Sequence, residues 1–249
     1  MTRPSPPLGS ADEEGAGLER SRRPRLLVLQ YQPSCPPGLL AAAADEVGLD
    51  LEVVATAGGG QVPADLGDAS GLVLLGGEQA AYDTDPTLAT SMALVRQAAG
   101  RGTPTLGICL GAQLAAHALG GRAYRGAAGL ELGWVPVEMT PAGCRDPVLG
   151  RLGDPDEVLD WHRDTFTLPP AAVLLARSAA YPQAFRFGSV VGLQFHPEAD
   201  AALLASWYAG QADAAAEAGY PLAAAVAGAD YQQPKMERLL GAFCHSVAA

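Results

Sequence analysis

A cysteine flanked by two glycines is the first feature of the sequence that points to chemistry. Cys109 stands between Gly107 and Gly111, after an apolar run at 104–106 and before a helical pattern at 112–119. A strand that turns sharply into a helix at a nucleophile is typical of hydrolases, and such a turn leaves no room for side chains at the two glycine positions. The turn also places the thiol at a helix N-terminus, where the backbone dipole favours the thiolate. The alternative is a small buried cysteine in a glycine-rich turn.

A histidine and an acid follow a second apolar strand further along the chain. His196 and Glu198 stand two residues apart behind the run at 190–195, with Pro197 between them. Alternate residues of an extended segment point the same way, so the imidazole and the carboxylate can be held side by side. A nucleophilic thiol needs an imidazole as its base, and the imidazole needs a third group to orient it. The two segments together therefore predict a Cys-His-Glu triad.

Five segments give the chain a resemblance to a known family. They are LVLLGG at 72–77, LGICLGAQ at 106–113, ELGW at 131–134, WHRD at 161–164 and GLQFHPE at 192–198. In this order they resemble a class I (triad) glutamine amidotransferase domain, of the free-standing type similar to the amidotransferase domain of GMP synthase. The resemblance extends over roughly positions 25–200. It implies the three-layer, flavodoxin-like α/β fold of that family.

The resemblance also implies a role for each motif. Cys109 attacks the side-chain amide of glutamine, His196 protonates the departing ammonia, and Glu198 orients the histidine. Water activated by His196 then cleaves the γ-glutamyl thioester. The backbone amides of Gly77 and Leu110 are expected to form the oxyanion hole. The residues expected to bind the substrate are Gly76, Gln113, His162, Arg163 and Asp164.

Two positions depart from the family pattern. Ala112 replaces a histidine that is common in members, and Glu78 follows the two glycines where proline is common. A carboxylate at the mouth of the site repels an anionic substrate or attracts an amine, so the γ-glutamyl donor is less fixed than the chemistry. About fifty residues follow the triad, far fewer than an ATP-activating synthetase domain needs. We therefore expect the partner to be a separate synthetase chain.

Alternating apolar runs and helical patterns predict the same fold class. Predicted strands lie at 25–30, 51–56, 71–75, 103–108, 173–176 and 184–187, and predicted helices at 38–47 and 86–99. Such alternation favours a mostly parallel sheet with helices on both faces and ligands at the carboxyl ends of its strands. Residues 122–140 are expected to make an antiparallel excursion. Residues 201–249 are expected to form helices that break around Gly219.

Composition narrows the possible partners. The 249 residues are 49% hydrophobic with a formal net charge of −11, which fits one sizeable core and argues against a nucleic-acid-binding surface. The four cysteines lack zinc spacing, so we expect no metal and no cofactor. The sequence has no signal-peptide or membrane-helix pattern, and a cytoplasmic protein is expected. Residues 1–24 are expected to form a disordered tail ahead of one domain at 25–249 with a C-terminal helical extension.

Three functions remain open from the sequence. The first is a glutaminase that releases ammonia for a separate acceptor enzyme. The second is a free-standing γ-glutamyl peptidase or hydrolase, which keeps the triad but accepts γ-glutamyl amides of other amines. The third is a binding or regulatory protein that keeps the fold without activity, against which the complete triad argues.

Overall fold

The computed structural model describes residues 23–153 and 156–249, and a nine-stranded sheet forms its centre. Eleven strands are present among these residues: β1 (Arg25–Gln30), β2 (Asp50–Ala55), β3 (Gly71–Leu74), β4 (Thr105–Ile108), β5 (Arg122–Arg125), β6 (Glu131–Met139), β7 (Asp156–His162), β8 (Asp164–Thr167), β9 (Val173–Arg177), β10 (Pro182–Phe187) and β11 (Val190–Leu193). The helices are α1 (Leu39–Glu46), α2 (Pro86–Arg101), α3 (Leu110–Ala118), α4 (Pro141–Arg145), α5 (Ala201–Gly210), α6 (Ala212–Ala218) and α7 (Leu222–Ala248).

The sheet has a parallel half and an antiparallel half. Its strand order is β2-β1-β3-β4-β11-β10-β9-β6-β7, and the pairs from β2 to β11 are parallel. The pairs from β11 to β7 are antiparallel. Strands β5 and β8 form a separate antiparallel pair. The predicted α/β class with a mostly parallel sheet is therefore confirmed for the half that carries the first strands.

Both faces of the sheet are covered by helices. Along β1, Leu26 and Val28 belong to a core shared with α1, α5 and α7, whereas Leu27 and Leu29 belong to a core shared with α2 and α3. All four side chains are fully buried. Because successive strand residues point to opposite faces, this apolar run requires cover on both sides. The predicted three-layer arrangement is confirmed.

The antiparallel half differs most from the sequence prediction. The expected excursion at 122–140 is present as β5 and β6, but the sequence did not predict β7 and β8 at 156–167. The C-terminal helices break at Gln211 as well as at Gly219. They also supply buried side chains to the main core, including Leu239 and Phe243 of α7, so they are packed as part of the domain.

The remaining expectations concern regions outside the sheet. The predicted tail at 1–24 lies almost wholly outside the described residues. Within the described part of the chain, no helix has both the length and the apolar composition needed to cross a membrane.

Parallel pairing brings three loops to one edge of the sheet. Strand β4 lies between β3 and β11, and the register pairs Leu74 with Gly107 and Ile108 with Leu193. The segments that follow these three strands carry Gly76-Gly77, Cys109 and His196. Their meeting at the carboxyl ends of the strands is the arrangement in which open α/β sheets bind ligands.

Candidate active site

Cys109 occupies a strained turn between β4 and α3. Its backbone angles are φ 51° and ψ −107°, and Ala171 is the only other non-glycine residue with positive φ in the described ranges. Its amide donates to the carbonyl of Leu193 at 2.8 Å, and its carbonyl accepts from the amide of Gln113 at 3.1 Å. Backbone strain of this kind persists only where the surrounding structure holds it. The neighbouring strand and the helix therefore fix the direction of the thiol.

The glycines on either side of Cys109 are required by space. A Cβ at Gly107 would lie 2.5 Å from the carbonyl oxygen of Gly111 in α3. A Cβ at Gly111 would lie 2.1 Å from the carbonyl oxygen of Leu74 in β3. Both distances are shorter than a Cβ and a carbonyl oxygen can approach, so a side chain at either position would force the backbone to move. The prediction that side chains at these positions would collide with the adjacent strand and helix is confirmed.

His196 lies between Cys109 and Glu198. Its Nδ1 donates to Oε1 of Glu198 at 2.8 Å, and the ring lies close enough to Cys109 for the charges of the two side chains to interact. Glu198 is fully buried, and its own carbonyl accepts from the amide of Leu39 at 2.9 Å, so the start of α1 holds it in place. Gly38 has φ +53° and passes so close to Glu198 that a Cβ would lie 2.1 Å from its carbonyl oxygen. The three side chains predicted as a triad are brought together.

The environment of His196 favours its protonated form. Burial by itself lowers the pKa of the imidazole, but the charges of Glu198 and Cys109 outweigh burial and raise the pKa well above its ordinary value. Trp207 of α5 covers the ring edge-on with centroids 4.8 Å apart. The Nε1 of Trp207 donates to the carbonyl of Ser34 at 2.6 Å, which fixes the indole over the site.

The predicted oxyanion loop adjoins this group. A Cβ at Gly76 would lie 3.0 Å from Cε1 of His196 and 3.7 Å from Cβ of Cys109, and one at Gly77 would lie 2.8 Å from Cδ2 of Leu110. Leu110 is the first residue of α3, where the amide has no partner within the helix. Neither Gly76 nor Gly77 has positive φ. A left-handed backbone conformation therefore does not explain either glycine, whereas at Gly76 a Cβ would press against the ring of His196.

Four of the predicted substrate-binding residues line the crevice in front of Cys109, and two of them, Gln113 and Asp164, are bonded to each other. Gln113 is buried, and its Nε2 donates to the carbonyl of Asp164 at 3.0 Å. The carboxylate of Asp164 lies near the hydroxyl of Tyr82 and raises the pKa of that phenol. Both residues thus face the crevice with part of their hydrogen-bonding capacity already used.

Arg163 and His162 also line the crevice, but their side chains make different contacts from those expected. Arg163 pairs through both terminal nitrogens with Glu217 of α6, so its charge is already balanced. His162 is buried and faces Glu131 and Asp160, at 3.2 and 3.5 Å from its Nε2. Burial lowers the pKa of His162, but the two nearby carboxylates outweigh burial and raise the pKa to about 10.

The crevice contains residues that the sequence analysis missed. It has a volume of about 300 Å³ and is lined by all three segments of the site. Gln211 bridges two of its walls, since its Oε1 accepts from Nε1 of Trp161 at 2.9 Å and its Nε2 donates to Glu78 at 3.3 Å. Arg125 reaches the crevice because β5 pairs with β8, which places it opposite Asp164. Such cross-strand and interhelical neighbours leave no local signal in the sequence.

A family model settles the family. The model for glutamine amidotransferase class-I matches residues 38–204, which include the elbow and all of the triad residues. The chain belongs to the class-I glutamine amidotransferase family. The fold prediction for that family is thereby confirmed, because a solved glutamine amidotransferase of Thermotoga maritima superposes with a TM-score of 0.82. That structure is 29% identical, and the match covers 91% of this chain and 98% of the other.

Curated relatives differ in the reactions that their names state. A glutamine amidotransferase-like protein of Salmonella typhimurium, YfeJ, is 37% identical over 42% of this chain and 44% of its own length. One subunit of the glutamine-hydrolysing GMP synthase of Halobacterium salinarum is 33% identical over 55% of this chain and 69% of its own. A gamma-glutamyl-L-1-hydroxyisopropylamide hydrolase of a Pseudomonas species is 30% identical over 53% of this chain and 48% of its own. A glutamine-hydrolysing GMP synthase of Thermomicrobium roseum is 38% identical over 51% of this chain but only 23% of its own length, so this chain spans less than half of that relative and of YfeJ.

Proposed function

We propose that this chain hydrolyses the side-chain amide of glutamine through a γ-glutamyl thioester on Cys109. The observation that carries the proposal is the position of His196, which lies beside Cys109 on one side and is hydrogen-bonded to buried Glu198 on the other. An imidazole held in this way can serve a nucleophile as base and a leaving group as acid. Family membership supports the same chemistry.

The chemistry has two halves. The Cys109 thiolate attacks the amide carbon, and His196 gives its proton to the departing nitrogen, which leaves as ammonia. A water molecule then gives a proton to His196 and attacks the thioester, which releases glutamate and restores the thiolate. Glu198 stabilises the imidazolium in both halves, and Trp207 keeps water away from one side of the ring.

Two backbone amides are proposed as donors to the tetrahedral oxyanion. Leu110 offers the first amide of α3, and Gly77 lies against its side chain. Donors fixed beforehand stabilise the charge that develops in the transition state. Gly76 must stay small because it borders both His196 and Cys109.

The remaining crevice residues are proposed to hold the amino-acid part of the substrate. Asp164 offers a carboxylate for the α-ammonium group. Gln113 holds Asp164 in position by donating a hydrogen bond to its backbone carbonyl. Because Arg163 is already paired with Glu217, we assign the α-carboxylate to Arg125, which also lines the crevice. His162 shapes the crevice wall through its buried contacts.

A separate synthetase is the proposed partner. The relative from Halobacterium salinarum is named as one subunit of a glutamine-hydrolysing GMP synthase. The acceptor of the ammonia is proposed to be an activated substrate on a synthetase chain, because glutamine hydrolysis alone forms no new carbon–nitrogen bond.

A second candidate is hydrolysis of a γ-glutamyl amide other than glutamine. Glu78 stands at the crevice mouth beside Gly77, and Gln211 holds it there. A carboxylate in this place attracts a leaving amine that carries a positive charge. The relative from the Pseudomonas species is named for a γ-glutamyl amide of this general kind.

Steady-state kinetics with a panel of donors distinguish the two candidates. The panel contains glutamine, γ-glutamyl dipeptides, and γ-glutamyl amides of neutral and cationic amines. We expect glutamine to be hydrolysed, with kcat/KM lowered by roughly 10-fold or more in Arg125→Ala, since a charged group loses its partner. Rapid turnover of another γ-glutamyl amide with glutamine almost inert would replace the first candidate by the second. No turnover of any donor, with Cys109 unreactive, would favour the binding protein.

A further inference from the structure

A second cluster of titratable side chains lies on the antiparallel half of the sheet. Glu131 at the start of β6 pairs directly with His162 at the end of β7. Asp160 precedes His162 by two residues, so the register brings all three side chains to one face. Asp160 is fully buried, His162 is 5% exposed, and the side chain of Glu131 is 13% exposed. None of the three takes part in the chemistry proposed for Cys109.

Two of the distances within this cluster match the spacing of ligand atoms around a tetrahedral metal ion. Nε2 of His162 lies 3.2 Å from Oε2 of Glu131 and 3.5 Å from Oδ1 of Asp160. With bonds of about 2.0–2.1 Å to a zinc ion, tetrahedral ligand atoms are about 3.3–3.4 Å apart. Neither Nε2 of His162 nor Oδ1 of Asp160 makes a hydrogen bond of good geometry, although both are buried. The ligand atoms of the three residues lie within 4.8 Å of one another.

Neighbouring groups orient the three side chains as metal ligands are usually oriented. Nδ1 of His162 lies 3.0 Å from the carbonyl of Asp164, so its N–H donates to that oxygen and Nε2 is the nitrogen that can take a proton or a metal ion. Nε2 of Gln183 donates to Oε2 of Glu131 and to Oδ2 of Asp160, at 2.9 Å in each case. A backbone carbonyl behind the histidine and an amide behind the carboxylates are the outer contacts that hold ligands in place.

We propose that Glu131, Asp160 and His162 bind one Zn²⁺ ion in the wall of the crevice. Three protein ligands leave the fourth tetrahedral position for a water molecule or a donor atom of the substrate. One imidazole nitrogen favours Zn²⁺ over Mg²⁺ and Ca²⁺, which require more oxygen ligands. The sequence prediction of no metal considered local cysteine and histidine spacing, whereas these ligands converge from two strands.

The metal ion and a proton compete for the same nitrogen. In the metal-free protein Nε2 of His162 faces the carboxylates of Glu131 and Asp160 at 3.2 and 3.5 Å, and these charges favour a proton on that nitrogen. The other groups near the ring are the Cys109 thiol, the Tyr181 ring at 5.7 Å and the Asp164 carbonyl. Zinc binding must therefore release a proton, and its apparent affinity must rise with pH.

The test is titration of the whole chain with Zn²⁺ after treatment with a chelator. Calorimetry is carried out on Cys109→Ser, so that the thiol and His196 cannot supply a competing site. We expect one equivalent of Zn²⁺ to bind, with release of about one proton at neutral pH, as measured in buffers of different ionisation enthalpy. Co²⁺ in place of Zn²⁺ is expected to give the intense visible bands of a tetrahedral site. Mg²⁺ is expected to bind far more weakly.

Matched variants decide whether the ion sits at this cluster. His162→Ala and Asp160→Asn, each combined with Cys109→Ser, are expected to lose the stoichiometric site, and Gln183→Leu to weaken it by about 10- to 100-fold. Circular dichroism of each variant checks folding, and Asp160→Asn preserves the shape of the side chain it replaces. Equal Zn²⁺ binding with and without these ligands would overturn the proposal. So would the absence of Zn²⁺ binding to Cys109→Ser. That result would identify the cluster as an ion pair between protonated His162 and the carboxylates of Glu131 and Asp160. Neither result would affect the chemistry proposed for Cys109.

Discussion

Cys109 and the other three cysteines differ in what surrounds each sulfur. Cys35 is half-buried beside the crevice, and burial raises the pKa of its thiol to about 11. Cys244 is buried in α7, and burial raises its pKa to about 12. Cys144 is exposed and distant from the crevice lining. Cys109 lines the crevice and faces the imidazolium of His196, whose pKa the Cys109 charge raises.

This difference predicts selective labelling. A diazo-oxo analogue of glutamine is expected to modify Cys109 alone, because the reaction needs both a thiolate and a bound amino-acid group. Peptide mass spectrometry locates the adduct. Cys109→Ser is expected to lose roughly 10³-fold or more of the turnover while keeping its melting temperature. Adducts on Cys35, Cys144 or Cys244 with Cys109 unmodified would remove Cys109 from the nucleophile role.

His196 and Glu198 are expected to contribute unequally. His196→Ala is expected to lose about as much turnover as Cys109→Ser, because triad members act as a unit. Glu198→Gln is expected to keep roughly 10- to 100-fold more activity, since the amide preserves part of the orientation. A His196→Ala protein near wild-type activity, together with an inactive His162→Ala protein, would move the base role to His162.

The same pair predicts a pH dependence. Glu198 raises the pKa of His196, so Glu198→Gln is expected to shift the alkaline limb of kcat/KM to lower pH. Stability follows the same sign. The pKa of His196 in the folded state lies above the ordinary value of 6.5, so its protonated form stabilises the fold. This stabilisation is complete below about pH 6.5 and is lost as the pH rises through the folded-state pKa. Rate profiles and urea unfolding across this range measure both effects, and an unchanged alkaline limb would contradict the assignment.

At the scale of elements, helix α7 is held against the sheet by close contact with Trp134. Nε1 of Trp134 donates to the carbonyl of Ala225 at 2.8 Å. A Cβ at Gly228 would lie 2.1 Å from the same nitrogen, whereas one at Gly241 would meet nothing within 4 Å. Both glycines lie within α7 and neither has positive φ. They therefore offer a matched pair that differs only in packing.

The pair predicts opposite effects of one added methyl group. Gly228→Ala is expected to lower the free energy of unfolding by about 1–3 kcal/mol or more, because a packed indole must move. Gly241→Ala is expected to raise it by about 0.5–1 kcal/mol through helix propensity. Chemical denaturation of the two variants measures the difference. Equal effects at both positions would mean that α7 does not pack against Trp134 as described.

The sequence predicted the strands that consist of uninterrupted apolar residues. It failed to predict a strand in which buried polar side chains pair with one another. The fully apolar interiors of β1, β3 and β11 marked them as central strands, and the glycines around Cys109 marked the elbow. Strand β7 was missed because Asp160 and His162 interrupt its apolar pattern, although both are buried. Their burial depends on Glu131 from another strand. Pairing of this kind is decided by register, which a single segment does not contain.

At the scale of the whole molecule, the C-terminal helices complete both the core and the crevice. The family model ends at residue 204, but Trp207 and Gln211 beyond it line the crevice. Helix α7 then crosses back over the sheet, where Val247 lies 2.7 Å from the position of a Cβ on Gly71 in β3. The chain from 205 onward is thus part of the same packed unit as the triad.

This arrangement predicts that truncation at the C-terminus destroys the fold. Removing residues 219–249 strips α7 from the core and exposes apolar side chains of the sheet, each worth about 1.5–3 kcal/mol of burial. The sum exceeds the marginal stability of an ordinary domain. We expect an aggregating chain with no cooperative melting transition and strong binding of a hydrophobic dye.

The matched control is removal of residues 1–22, whose composition predicts no packed core. This deletion is expected to leave both the melting temperature and the glutaminase rate unchanged. A truncated 1–218 chain that still melts cooperatively would show that the core does not depend on α7.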